Sequence, residues 1–416
     1  MNTDRFLLRV FRWRAAALCV GGYLLLSTFA FPQGSLTPPG APAPTFKTLT
    51  QVEPRTIVNA TNTPGDAANT FIISQPGSYY LTGNITGASG KHGISIQAND
   101  VTLDLNGFAL ISGGGGAFRG VNVPAAQNNL CVRNGTVRGW TDGGVRTDLT
   151  TSTLAEKLRL SDNVGATGLA LGNGSAKDCV ATGNATGFIV GNGAQITGSA
   201  ASANTTGFVA GDRAQVSNCI ATINTDVGFR CTDIVTLIDC TASRNLGAAG
   251  IVVQGRCTVI RCNASRNIPS ANGITAGAGC TIADCTAGSN GLVGISVDTG
   301  STVRNCTVQS NGSDGILATS RCNLTGNTCD LNTNGGIEVF SSSGAQKTRV
   351  DGNSCTANSV GIIINGSNIL VIRNSASGNS SANFNIASAS NPAGPIVDMT
   401  GGGTITSTSP WANFIY

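Results

Sequence analysis

The sequence has few charged residues and only one histidine. Asp, Glu, Lys and Arg make up 11% of its 416 residues, against roughly 25% in an average soluble domain. So little charge argues against a helical bundle or a coiled coil. A net charge of +4 provides no basic stripe for phosphates, so we predict no nucleic-acid partner. Because His92 is the only histidine, we expect neither a histidine-rich metal site nor a serine-protease-like triad.

The amino-terminal segment has the composition of an export signal. Four arginines within residues 5–14 precede an apolar run at residues 15–31, as in the basic and hydrophobic regions of a signal peptide. We predict residues 1–30 to be a signal peptide cleaved after Ala30, with a single membrane anchor as the alternative. The mature chain is then secreted, periplasmic or at the cell surface, without a membrane span. Residues 31–69 are predicted to be a Pro-rich linker and an amino-terminal cap.

Glycine is abundant, at 56 residues, and one asparagine recurs periodically. The steps between successive members are 20 to 26 residues, and the members are Asn163, Asn184, Asn204, Asn224, Asn245, Asn267, Asn290, Asn311, Asn332, Asn358 and Asn379. From Asn184 on, each is followed by a strand pattern that glycine usually introduces, such as Gly-Ile-Ser-Val at residues 294–297. Apolar first and third strand residues around a variable middle one indicate a strand with one buried face.

Two further short strands follow within each repeat, as in residues 257–259 and 261–264. Three strands and three turns in about 22 residues make one rung of a β-solenoid. Like strands of successive rungs then stack as parallel sheets, about 4.8 Å apart. We therefore predict an all-β solenoid over residues 70–390, of about 14 rungs of about 21–22 residues, and a carboxy-terminal cap at residues 391–416.

These features resemble those of the right-handed parallel β-helix proteins, which have the pectin-lyase-like fold. The resemblance rests on the Asn–loop–Gly-Ile-x-Val period and on residues 99–107, and it covers about residues 70–390. It implies a single-stranded right-handed parallel β-helix, but not an activity, since the fold hosts lyases, hydrolases, epimerases and adhesins. Leucine-rich repeats have a similar period, but their leucine spacing is absent here.

The periodic residues are predicted to be structural. Each asparagine amide hydrogen-bonds to its neighbours in a buried ladder and tolerates the left-handed conformation of a corner, while the glycine before each strand serves the next bend. Cysteines also form columns, the main one five residues before the ladder, as at Cys262 and Cys285. We predict the 13 cysteines outside the signal peptide to be buried free thiols, with no CxxC zinc pair; disulfides between stacked neighbours, which export permits, are the alternative.

The resemblance suggests where chemistry would lie, because enzymes of this fold that cleave pectic polymers use clustered carboxylates. Asn224-Thr225-Asp226 matches the first short motif of the polygalacturonases, but that family's other motifs are missing, so we interpret the match as accidental. Glu338 is outward on its strand and is predicted to have no partner, since its column neighbours are Leu317 and Ile363.

The remaining candidates are also given structural interpretations. His92 is predicted to be a surface histidine, and a row of charges is predicted to be a solvated salt-bridge row of little energetic value, namely Asp239, Arg261 and Asp284. The longest rung contains an excursion at residues 341–348, where acidic and basic residues together have the composition of a lyase site: Asp314, Asp330, Glu338, Lys347, Arg349 and Asp351. The favoured interpretation is an irregular surface loop.

We therefore predict no catalytic, cofactor-binding or metal-binding residues, and no cofactor. The chain is expected to be a monomeric, exported β-helix protein that binds a polysaccharide or cell-surface glycan, or has a structural role at the surface. A polysaccharide lyase or glycoside hydrolase is the alternative. The aromatic tail at residues 410–416 is predicted to cap the open end of the solenoid.

Overall fold

Each repeat folds into one rung of three short strands. In one such rung the strands are Thr186–Val190, Gln195–Thr197 and Ala200–Ser202, and the first of them pairs in parallel with Thr206–Ala210 of the next rung. The structure is a computed structural model that describes residues 52–340 and 347–416. The predicted signal peptide, residues 1–30, lies outside the described residues, as does the linker up to residue 51.

The first strand of every rung belongs to one parallel sheet, here called the first face. Within the described residues it has 15 strands, so the prediction of about 14 rungs is confirmed. Its strands are Asn69–Ile73, His92–Ile96, Arg119–Asn122, Gly143–Thr147, Thr167–Leu171, Thr186–Val190, Thr206–Ala210, Phe229–Cys231, Ala249–Val253, Asn272–Ala276, Ile295–Val297, Ile316–Ala318, Gly335–Phe340, Val360–Asn365 and Ala382–Ile386.

The second strands of the rungs form the second face. Two of them, Asn128–Arg138 and Thr151–Ser161, continue around the corner into the third face, with left-handed residues at Asn134 and Lys157. They join both faces into one sheet of 29 strands among the described residues. The other strands of the second face are Thr56–Ile57, Gly77–Tyr80, Val101–Asp104, Gly174–Lys177, Gln195–Thr197, Gln215–Ser217, Thr236–Ile238, Thr258–Ile260, Thr281–Ala283, Thr302–Arg304, Asn323–Thr325, Arg349–Asp351 and Leu370–Ile372.

The third face completes each rung and also contains the carboxy-terminal strands. Its strands are Ile85–Thr86, Ala109–Ile111, Val180–Thr182, Ala200–Ser202, Ile220–Thr222, Thr241–Ser243, Asn263–Ser265, Thr286–Gly288, Thr307–Gln309, Thr328–Asp330, Ser354–Thr356, Ser375–Ser377, Ile396–Asp398 and Asn413–Ile415. Fifteen rungs stacked at the spacing of paired strands give a rod of about 70 Å.

The core consists of columns of like residues, one from each rung. On the first face, Phe188, Phe208 and Phe229 are fully buried and stack with ring centroids 4.9 and 4.8 Å apart. Aliphatic residues continue this column at Ile251 and Ile274. The middle residue of each strand faces outward, as the variable position in the sequence predicts.

The predicted asparagine ladder is confirmed along its whole length. Asn290 represents its members: its Oδ1 accepts hydrogen bonds from Nδ2 and N–H of Asn267, at 2.9 and 3.1 Å. Its Nδ2 donates to Asn311 Oδ1 at 2.9 Å and to the Ala264 carbonyl at 3.0 Å. Each amide therefore bonds to both neighbouring rungs, and every amide-to-amide bond points towards the carboxy terminus. The Trp140 N–H begins the column at Asn163.

The prediction that the ladder asparagine itself has the left-handed conformation at the corner is wrong. The left-handed conformation belongs to the residue before each ladder asparagine, with φ between 53° and 71°, and not to the asparagine itself. The members of this column are Asp162, Gly183, Ala203, Ile223, Arg244, Arg266, Ser289, Ser310, Leu331, Ala357 and Gly378. The turn ahead of the asparagine thus directs its side chain inward, where it meets the next amide.

The predicted role of the glycine before each first-face strand is also wrong. Gly207 has no left-handed φ to satisfy. A Cβ on Gly207 would instead lie 2.5 Å from the Gly228 carbonyl oxygen and 3.0 Å from Nδ2 of Asn224. The ladder amide packs directly against the glycine backbone, so glycine is required for close approach and not for a bend.

The cysteine columns are confirmed as buried free thiols in the described chain. All 13 cysteines there are unpaired, and 12 of them are buried; Cys131 is half-buried. Burial raises the pKa of Cys179 to about 11. The sequence prediction missed that the main column continues as a second asparagine ladder in the last rungs, in which each amide bonds to the next at 2.9 to 3.1 Å: Asn327, Asn353, Asn374 and Asn413.

The carboxy-terminal tail adds a last strand to the rod. Asn413–Ile415 pairs with Ser375–Ser377 and with Ile396–Asp398. Two of its aromatic side chains stay largely outside, since 50% of Trp411 and 56% of Tyr416 are exposed. The tail covers the rod through its backbone and through Asn413.

Candidate functional site

The polygalacturonase-like motif is part of the scaffold. Asn224 is a fully buried ladder member, and its amide bonds to Asn204 and Asn245. Asp226 forms a surface ion pair with Arg230 at 2.9 Å. These contacts agree with the interpretation of the motif as accidental.

The predicted salt-bridge row is confirmed in part. Arg261 donates to both carboxylate oxygens of Asp239, at 2.8 and 2.9 Å. Asp284 instead accepts a hydrogen bond from Asn305 at 3.3 Å. Both carboxylates are at exposed corners, where an ion pair contributes little to stability.

His92 is half-buried, so its prediction as a surface residue needs correction. It begins the strand His92–Ile96, and its Nδ1 accepts the Arg119 backbone N–H at 3.0 Å. The Phe118 ring packs edge-on against it, with centroids 5.3 Å apart. Burial lowers the pKa of His92. The accepted bond keeps Nδ1 unprotonated, so the imidazole serves here to fix the backbone of the next rung.

The six charged residues around the long excursion do not converge. Glu338 is on the first face and Asp314 is at the corner before it, whereas Arg349 and Asp351 are on the second face. Asp330 is on the third face, where it accepts a hydrogen bond from Thr356. Lys347 is exposed just before the strand Arg349–Asp351. The structure therefore separates the basic residues from the carboxylates of the first face.

Glu338 has a hydrogen-bond partner in Asn365, which corrects the prediction that it has none. Asp314, at the corner before the strand Ile316–Ala318, is near enough to interact with the charge of Glu338, and we call these two residues the carboxyl pair. Oδ1 of the buried Asp314 accepts from Asn334 Nδ2 and from the Gly335 N–H, both at 2.8 Å. Glu338 accepts from Asn365 Nδ2 at 2.9 Å. Burial and then the negative charge of Asp314 raise the pKa of Glu338. The column neighbours of Glu338 are Leu317 and Ile363, as predicted.

Gly335 makes room for this pair. A Cβ at Gly335 would lie 2.7 Å from Oδ1 of Asp314 and 3.0 Å from Cδ1 of Ile363. The carboxylate thus sits against bare backbone, with an aliphatic side chain on the neighbouring rung.

A shallow groove with a mixed polar and apolar lining runs along the carboxyl-terminal edge of the first face, on the rungs that precede Glu338. It is a hollow of about 610 Å³ that spans successive rungs, and we call it the lateral groove. Its polar lining residues are Gln254, Thr275, Ser296, Asp298 and Thr319. Thr275 and Ser296 are register partners, so their hydroxyls repeat at the rung spacing.

The lateral groove also has an ionised acceptor and an aromatic neighbour. The Thr299 N–H and the Thr319 hydroxyl, which lies 3.0 Å from Asp298 Oδ1, hold the pKa of Asp298 below its ordinary value. Phe340 lies one rung beyond Thr319, because it follows Val339, the register partner of Ala318. Its side chain is 53% exposed. The outward column that contains Ser296 continues through Leu317 to Glu338.

The lateral groove was not predicted from the sequence, and neither were the partners of two candidate residues. Asn365 lies one rung beyond Glu338, and Arg373 lies one rung beyond Asp351, to which it donates from Nε at 2.7 Å. The rung period could have indicated both, since partners on adjacent rungs are about one period apart. Within residues 52–340 and 347–416, no three His, Cys, Asp or Glu side chains cluster as metal ligands.

The part of the chain that the structure describes also contains no helix of the length and apolarity needed to cross a membrane.

Comparison with known proteins concerns the fold. Residues 227–380 match the family model described as a right handed beta helix region, and no curated protein matches the chain. Among solved structures, the mannuronan C-5 epimerase AlgE6 A-module of Azotobacter vinelandii is 16% identical, with a TM-score of 0.46 over 74% of this chain and 91% of that one. The periplasmic alginate epimerase AlgG is 12% identical, with a TM-score of 0.39 over 86% and 80%.

A surface adhesin of Streptococcus pneumoniae, PfbA, is also similar, at 9% identity and a TM-score of 0.24 over 72% of this chain and 84% of that one. At such identities the likeness extends to the fold alone. The stacked rungs, the parallel register of all three faces and the match over residues 227–380 agree with one another: the described chain folds as a right-handed parallel β-helix.

Proposed function

We propose that the protein is exported and binds an extended polysaccharide along its first face, without cleaving it. The lateral groove is the observation that supports this function. Hydroxyl, amide and carboxylate groups line it over successive rungs, and such groups can exchange hydrogen bonds with the hydroxyls of a sugar chain. A repetitive polymer suits a repetitive protein surface, because each sugar unit meets a similar set of groups.

The proposed export rests on the amino-terminal segment. The basic and apolar stretches of residues 1–30 have the order of a cleavable signal. Secretion into the periplasm or to the cell surface would bring the groove to extracellular glycans.

Binding can be tested by blocking the lateral groove. Ser296→Tyr places a large side chain at an outward position of the groove, so we expect at least a tenfold loss of affinity in affinity electrophoresis with polygalacturonate, alginate and a neutral glucan. Thr307→Tyr is the matched control, since Thr307 is exposed on the third face of the same rung. If no polymer retards the wild-type protein, or if both variants bind like it, the proposal is wrong.

Cleavage of the polymer is a second candidate function, favoured by the carboxyl pair. A general acid needs a raised pKa, and burial together with Asp314 raises the pKa of Glu338. Incubation with the same polymers, followed by assays for reducing ends and unsaturated products, distinguishes the two functions. We expect no product; product formation that Glu338→Gln abolishes would make the protein a hydrolase or lyase.

A further inference from the structure

A second hollow lies at the carboxy-terminal end of the rod, on the outward side of the second face. It measures about 390 Å³, within the size range of small-ligand pockets. Its apolar lining consists of Leu370 and Ile372 from the last strand of the second face, Pro392 and Pro395, and Trp411. Trp411 is 50% exposed, so its indole presents an aromatic surface to a ligand.

Two arginines and one aspartate adjoin this hollow. Asp351 is the register partner of Ile372 and its side chain is only 5% exposed. It accepts hydrogen bonds from Nε and Nη2 of Arg349 and of Arg373. The side chains of the two arginines are 46% and 48% exposed. One carboxylate thus orients two guanidinium groups and leaves one net positive charge.

Arg373 contacts both Asp351 and Trp411. Its guanidinium carbon lies 5.6 Å from the centroid of the Trp411 ring, a cation–π distance. Within the described chain no acceptor is bonded to Nη1 of Arg349 or of Arg373. Each arginine therefore has a donor available for a second anion, and that of Arg373 lies beside the indole.

We propose that this hollow binds a sugar residue bearing a carboxylate, a hexuronate. The apolar face of the pyranose ring stacks on Trp411, and its carboxylate accepts hydrogen bonds from the free guanidinium nitrogens. Charge complementarity favours this ligand, because neither a neutral sugar nor an apolar ligand can form an ion pair with the guanidinium groups. The inference does not rest on the lateral groove, whose lining residues belong to other rungs.

The experiment is calorimetric titration of the full chain with three probes, a galacturonate disaccharide, its methyl ester and a neutral hexose disaccharide. We expect the acidic disaccharide to bind at least tenfold more tightly than the other two, and its affinity to fall with added salt. Trp411→Ala and Arg373→Gln should each weaken binding at least tenfold, whereas Trp411→Phe keeps an aromatic surface and should retain most of the affinity.

Two matched controls keep the outcome specific. Tyr416→Ala removes an exposed aromatic residue outside the hollow, and Phe340→Ala removes the aromatic residue beside the lateral groove; both should bind within twofold of wild type. Melting curves establish that each variant is folded. Equal affinity for the acid and its ester, or wild-type binding by folded Trp411→Ala, would overturn the proposal. Loss of polymer binding in Ser296→Tyr alone would leave this second hollow intact and distinguish the two sites.

Discussion

The ladder asparagine combines contacts that no other small side chain could make at once. Its oxygen accepts two hydrogen bonds from the preceding rung, and its amide nitrogen donates to a buried carbonyl and to the next asparagine. Aspartate would lack the donors, and leucine would leave the backbone groups unsatisfied. The column therefore satisfies polar groups inside a core that is otherwise apolar.

Replacing one member tests this account. We expect Asn290→Ala to lower the free energy of unfolding by about 3 kcal/mol, since it removes several buried hydrogen bonds and leaves donors of Asn267 without an acceptor. Urea unfolding followed by circular dichroism measures the change. Asn323→Ala, on an exposed strand position, is the control and should cost less than about 0.5 kcal/mol. Equal stability of the two variants would refute the structural role of the ladder.

Neighbouring strands are also connected from outside, by ion pairs across rungs. Asp351 ends the strand Arg349–Asp351 and bonds to Arg373 at the corner after the next strand, Leu370–Ile372. The bonds from Arg373 and Arg349 lower the pKa of Asp351. A carboxylate with a lowered pKa stabilises the fold at pH values above the ordinary aspartate value of about 3.9 and loses this effect as the pH falls through its lowered value.

The pH dependence of one variant measures this contribution. We expect Asp351→Asn to lower stability by about 1–3 kcal/mol at pH 7, because a carboxylate hydrogen-bonded to arginine is replaced by a neutral amide. The difference from wild type should shrink as the pH falls below about 3.9 and the carboxylate becomes protonated. Asp284→Asn, at an exposed corner with φ of 56° that asparagine tolerates, should show little difference at any pH. A pH-independent loss in Asp351→Asn would contradict the electrostatic explanation.

For the whole molecule, stability depends on how the rod ends. From Glu53 onward the chain forms one compact unit, and a stack of parallel strands has an unpaired edge at each end. At the carboxy terminus Asn413–Ile415 pairs with Ser375–Ser377, and Asn413 receives the last bond of the second ladder from Asn374.

Removing this strand should expose the edge. We expect deletion of residues 405–416 to cause oligomers or aggregates, because Ser375–Ser377 loses the partner on its outer edge and Asn374 loses an acceptor. Size-exclusion chromatography with light scattering detects the change. Substituting Asn413→Ala in the full-length chain is the milder comparison, since it keeps the strand and should remain monomeric but melt earlier. A truncated protein that stays monomeric and equally stable would exclude a capping role.

The fold was predictable because each rung repeats the same pattern of asparagine, glycine and apolar strand residues. The spacing of Asn267 and Asn290, or of Cys262 and Cys285, reports directly on vertical neighbours. Contacts between outward-facing side chains are less predictable, because their partners on the next rung are not at the same position of the repeat. Asp314 reaches Glu338 from a corner, and the 26-residue step from Asn332 to Asn358 shifts the numbering of the later rungs by several residues. The position of Trp411 depends on the path of the tail, which has no repeat to indicate it.

The one-way direction of the asparagine ladder gives the rod two chemically different ends. A column of aligned amides could in principle propagate from molecule to molecule, as identical side chains do along a fibril. Here the Trp140 backbone N–H occupies the first acceptor, and Asn383, in the same rung as Asn379, accepts the last donated bond at 2.8 Å. The chain thus terminates its own polar column at both ends, which gives a protein built like a fibril a finite length.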